Sequence, residues 1–142
     1  MVILLNRSAR MTLKFIRRFA VFIGAFCIVG ETVRRWSTWR EWPPSFFDDY
    51  LIGAFLFYGA WASARDERRG RPWLAAAWAF ACGLGYASFF GHLQQALFEP
   101  AKSDPAPVPH VWLTALIGAG WLLCVAALFF TLLKHNGDGE VR

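Results

Sequence analysis

Charge is what this sequence lacks over its longest stretches. No Lys, Arg, Asp or Glu lies between Pro72 and Phe98, nor between Ala106 and Leu133. Each run exceeds the ~20 residues needed to cross a hydrocarbon core of about 30 Å. A soluble protein can bury one such helix; two of them, beside two shorter apolar runs, predict a polytopic membrane protein. A cysteine framework is also missing. Cys27, Cys82 and Cys124 are odd in number, form no CxxC pair and each sit within an apolar run. That excludes a disulfide scaffold and reads the thiols as small packing groups; a soft-metal site would require all three to converge where helices meet. Catalytic signatures are absent too. There is no HExxH, GxSxG, glycine-rich phosphate loop or Cys–His nucleophile pair. Gly83-Leu84-Gly85 lies inside an apolar helix, where its glycines are expected to serve packing. No enzymatic activity is read from this chain.

The net charge of +5 does not point to nucleic acid. An electrostatic footprint needs basic residues gathered in a stripe or patch. Here Lys and Arg flank apolar runs, which is how they set membrane orientation.

The first residues, 1–12, form a basic segment, and no acid precedes Glu31. Phe19 to Gly30 is a continuous apolar run, as in a signal peptide. Glu31, Thr32, Val33, Arg34 and Arg35 follow without a small-x-small cleavage site, and Phe26 breaks a lipoprotein pattern before Cys27. The expectation is an uncleaved anchor helix over 13–35, with Ala20, Gly24, Cys27, Glu31 and Arg34 on one face. Trp36, Trp39 and Trp42 then recur every third residue, as an interfacial belt would.

A second helix is expected over 46–64. Ser45 would be its N-cap and Asp48 the capping-box acid, while Asp48 and Asp49 suit the positive end of the helix dipole. Asp49, Gly53, Leu56, Ala60 and Ser63 share its inner face. Residues 65–71 read as a solvated charged turn, with Pro72 opening a third helix over 72–98. On that helix Ala77, Ala81, Gly85, Ser88, His92 and Gln95 recur at steps of three and four, a face that is small and then polar. Pro105, Pro107 and Pro109 stiffen the next connection. A fourth helix over 110–133 follows, with Gly118 and Gly120 permitting close approach, then a polar tail, 134–142.

Lys and Arg counting sets the orientation. Arg7, Arg10, Lys14, Arg17 and Arg18, the arginines of the 65–71 turn, Lys134 and Arg142 fall on one side of a four-pass chain. The other side has Arg34, Arg35, Arg40 and Lys102, offset by acids. The positive-inside rule places both termini in the cytoplasm. The predominance of Arg over Lys and the short loops suggest a bacterial inner membrane.

The expected fold is therefore one all-α membrane domain, a four-transmembrane-helix bundle with short loops. Its odd polar residues gather at the outer rim: Glu31, Arg34, Arg35, Asp48, Asp49, His92 and Gln95, with His110 at the start of helix four. Intramembrane ionisable groups are costly and normally paired, so Arg34 or Arg35 with Asp48 or Asp49 is the first reading, a structural tie. Glu31, Asp48, Asp49 and His92 are candidate ligands for a divalent metal, and His92 with His110 for a haem. The expected role is a non-catalytic accessory or ligand-sensing bundle. Its partners would be the lipid bilayer, other membrane subunits or a second copy. The alternatives are a small cation or solute transporter, or a haem- or metal-binding redox subunit.

Overall fold

A computed structural model describes residues 2–36, 43–98 and 110–133, with side chains for 12–33, 36, 47–98 and 110–133. It contains four α-helices and, among the described residues, no strand: α1 (Val2–Arg35), α2 (Pro43–Arg65), α3 (Glu67–Phe98) and α4 (His110–Leu132). Two of them, α3 and α4, are long and apolar enough to cross a membrane. α1 and α2 have the length but fall short in apolarity. Lys14, Arg17, Arg18 and Glu31 interrupt the first, and Asp48 and Asp49 the start of the second.

Three boundaries differ from expectation. The basic segment 1–12 continues α1 as helix. α2 already begins at Pro43, which puts Ser45 inside the helix instead of at its cap. α3 begins at Glu67, so Pro72 is internal and the charged turn contracts to Asp66. The reason is Asp66 itself. Its Oδ1 accepts the backbone N–H groups of Arg68 and Arg69 at 3.0 and 3.1 Å, which satisfies two donors that a helix start leaves orphaned. Pro72, the sixth residue of α3, lacks an N–H for the Arg68 carbonyl, which on the exposed Arg68 can turn to solvent.

Helix pairing follows sequence order: α2 lies between α1 and α3, and α4 packs on α3 and touches α1 lightly. Close approaches hold these pairs together. A Cβ on Gly70 would sit 2.2 Å from the Ala62 backbone, so only glycine allows α3 to turn back this tightly on α2. A Cβ on Gly59 would meet the Leu74 Cα at 2.8 Å. Gly24 and Gly53 bring α1 and α2 together in the same way. Between α3 and α4 the fit is reciprocal: Trp121 lies over Gly85 and Phe89 over Gly118. Gly83 and Gly120, expected to pack, have nothing within 4 Å of a built Cβ.

The core lies toward the α2–α3 turn. Leu56, Leu74, Ala77 and Trp78 are fully buried, and Phe19 stacks on Trp78 with centroids 5.6 Å apart. All the buried residues of α3 precede Cys82. Beyond that point α3 is only partly covered, and Ser88, expected on the inner face, is exposed.

Candidate functional site

At the end of the bundle far from Asp66, α1 and α2 turn their acids inward. Glu31 is only 3% exposed, four residues after Cys27 on the buried face. Asp49 is half-buried on α2, whereas Asp48 is exposed. Glu31 and Asp49 each directly precede a residue of the α1–α2 seam, Thr32 and Tyr50. Thr32 and Tyr50 tie the same seam, with hydroxyls 2.5 Å apart. Thr32 donates its single proton to the Ile28 carbonyl at 2.6 Å, which makes Tyr50 the donor of the pair. Sequence reasoning missed this tie. Its one visible signal was two hydroxyl side chains flanking the same inter-helix connection. The side chains of Arg34 and Arg35, expected to pair with Asp48 or Asp49, lie outside the described residues.

On the other side, α3 and α4 bring the two histidines together. The rings of His92 and His110 have centroids 5.4 Å apart, inclined by 50°. His110 Nε2 lies 3.1 Å from the His92 carbonyl, and a carbonyl only accepts, so this nitrogen carries the proton. The bond links an α4 side chain to the α3 backbone. His110 Nδ1 is buried without a hydrogen-bond partner among the described residues. Gln95 is half-buried one turn further on. Tyr86, Phe89, Phe90 and Trp121 pack below the histidines, with Phe89 and Trp121 stacked at 5.8 Å and 14°. That aromatic wedge was legible in part, since Tyr86, Phe89 and Phe90 recur at helical spacing.

The geometry bears directly on the ligand readings. Metal–imidazole bonds of about 2 Å on both sides of an iron would hold the ring centres ~6 Å apart with a porphyrin between them. The two rings stand 5.4 Å apart and inclined by 50°, and one nitrogen of His110 is bonded to the α3 backbone. Among the described residues no three His, Cys, Asp or Glu side chains form a group able to hold a metal ion. Cys124 belongs to the hydrophobic core, Cys27 and Cys82 pack against that core, and all three are free thiols. They form no metal-binding group among the described residues.

A second polar constellation, at the α2–α3 turn, was not foreseen. Arg17 of α1 donates to Ser63 Oγ of α2 at 2.9 Å and reaches Glu67 Oε2 of α3 at 3.4 Å, joining three helices. Arg71 of α3 donates from Nε to the Thr131 carbonyl at 2.7 Å and from its terminal nitrogen to the Leu133 carbonyl. It thereby caps the C-terminal end of α4, where orphan carbonyls and the dipole both favour a cation. Compared with known protein families, characterised proteins and solved structures, the chain shows no significant match.

Proposed function

We propose that the chain is a four-pass integral membrane protein of bacterial inner-membrane type, with both termini cytoplasmic. It acts as a non-catalytic accessory or ligand-sensing subunit through its far, outward end. The carrying observation is apolar exposure on all four helices, with polar side chains buried on α1, α2 and α4. Phe22 and Phe26 of α1, Leu51 and Phe55 of α2, Leu97 and Phe98 of α3, and Leu122 and Phe129 of α4 are exposed, while Glu31, Ser63, Thr114 and Thr131 are buried. Water does not tolerate apolar exposure on this scale in a monomer, whereas lipid requires it. Orientation rests on the Lys and Arg asymmetry between the two ends.

In this reading the outward end is a set of ties, and its inward acids and imidazoles are the groups that a small ligand or neighbouring subunit would engage. Two carboxylates beside this seam, Glu31 buried and Asp49 half-buried, favour a cationic ligand over an anionic one. Washing membranes with alkaline carbonate tests the first part: the chain should remain in the pellet, and release into the supernatant would overturn the membrane reading. An absorption spectrum and a metal assay on the purified protein test the second. Stoichiometric haem or metal would replace the non-catalytic reading with the redox or transport alternative.

A further inference from the structure

We propose that the groove between α1 and α2 at the α2–α3 turn binds one anionic phospholipid. Its phosphate would meet Arg18, with Arg17 and Arg65 alongside, and an acyl chain would lie against Ala60 and Ala64. The inference rests on the membrane reading and adds a ligand on the opposite, cytoplasmic side.

The groove is open and shallow, has a volume of ≈ 390 Å³, and is lined by Arg17 and Arg18 at one end and by Val21, Phe57, Ala60, Trp61 and Ala64 along its length. Ala60 and Ala64 stand one helical turn apart and carry nothing beyond Cβ, so a trough opens beside the bulk of Phe57 and Trp61. From Ala64 to Phe57 it runs roughly 10 Å toward the middle of the bundle, at about 1.5 Å rise per residue. That apolar length, closed at one end by cations, suits the upper part of an acyl chain and its headgroup in shape and in charge.

The charge is one-sided, since no carboxylate lines the groove. Arg17 is spoken for by Ser63 and Glu67, and its side chain is only 17% exposed. Arg18 is exposed and, among the described residues, has no acidic partner. Arg65 is held 4.8 Å over the Trp61 ring, which keeps a third guanidinium at the same level. Tyr58, Trp61 and Trp73 cluster there too, with Tyr58 5.8 Å from Trp61 and 5.5 Å from Trp73. Such an aromatic group suits headgroup depth, and the cytoplasmic leaflet is the anionic one.

The test uses the full chain purified in a neutral detergent, probed separately with phosphatidylglycerol, phosphatidylcholine and inorganic phosphate. Native mass spectrometry counts bound lipid, and thermal shift measures affinity. The expected result is one phosphatidylglycerol retained, with neither phosphatidylcholine nor free phosphate replacing it. Arg18→Gln should weaken binding about fivefold, the effect of one basic residue at an anionic surface. Ala64→Leu, at an exposed position, should weaken it by filling the trough without altering charge. Equal retention of the two lipids, saturation by phosphate alone, or full affinity in both variants would overturn the site. Release by carbonate would instead overturn the membrane reading, so the two failures are distinguishable.

Discussion

Asp66 and Arg71 lie within one short charged run, yet each ends a different helix. Asp66 starts α3 by accepting two backbone donors, and Arg71 finishes α4 by donating to its last carbonyls. Asp66→Ala should therefore lower stability by about 1 kcal/mol while Asp66→Asn, also a good cap, costs only a few tenths. Thermal unfolding in detergent decides this, and equal losses for Ala and Asn would refute the cap. Arg71→Met should loosen the end of α4, raising amide exchange at Phe129 to Leu132 by about tenfold, as loss of roughly 1.4 kcal/mol of capping implies. The histidines carry a similar asymmetry. His110 bonds to the backbone of residue 92, so His92→Phe leaves that bond in place and His110→Phe removes it. His110→Phe should therefore lower stability by about 1 kcal/mol in the same melts. No loss in that variant would place the α3–α4 tie elsewhere. Composition near a turn could suggest capping by Asp66; which carbonyls Arg71 reaches could not be read, because its partners are sixty residues distant in sequence.

At the scale of the helix, glycine shows how one residue type carries opposite roles. Gly70→Ala would drive a Cβ into the Ala62 backbone, which cannot yield as a side-chain tip would, and should cost about 3 kcal/mol or abolish folding. Gly120→Ala meets open space, so the higher helix propensity of Ala should leave stability unchanged or raise it by up to ~1 kcal/mol. Melting temperatures of the two variants in one detergent compare them, and a loss at Gly120 equal to that at Gly70 would contradict the packing described. The sequence pattern grouped Ala20, Gly24, Cys27, Glu31 and Arg34 on one face of α1, and Asp49, Gly53, Leu56, Ala60 and Ser63 on one face of α2; Cys27 and Asp49 are half-buried, the Arg34 side chain lies outside the described residues, and the others are buried. It also placed Ser88 inward, wrongly. The buried residues of α3 end at Ala81, and beyond it the helix meets α4 through the aromatic fit and the His110–His92 contact.

For the whole molecule, the proposed topology yields a direct measurement. A reporter active only in the cytoplasm should be active when fused after Arg142 and silent when inserted beside Lys102. The reverse at either position would sink the four-pass arrangement with both termini inside, since charge asymmetry is its basis. The same arrangement puts the lipid groove and the Arg17, Asp66 and Arg71 ties at one membrane face, and the Glu31, Asp49, His92 and His110 groups at the other. What the sequence alone determined was local: four helices, their C-terminal ends to within a residue, and most of the residues that α1 and α2 turn inward. Helical period and the long uncharged runs are properties of consecutive residues, and so are legible there. Only the tertiary structure decided that Arg17 reaches Glu67, that Gly85 and not Gly83 receives a neighbour, and that His110 meets the backbone at His92. Those contacts depend on the crossing angle and rotation of each helix pair, which ridges, grooves and glycine gaps set jointly across the interface.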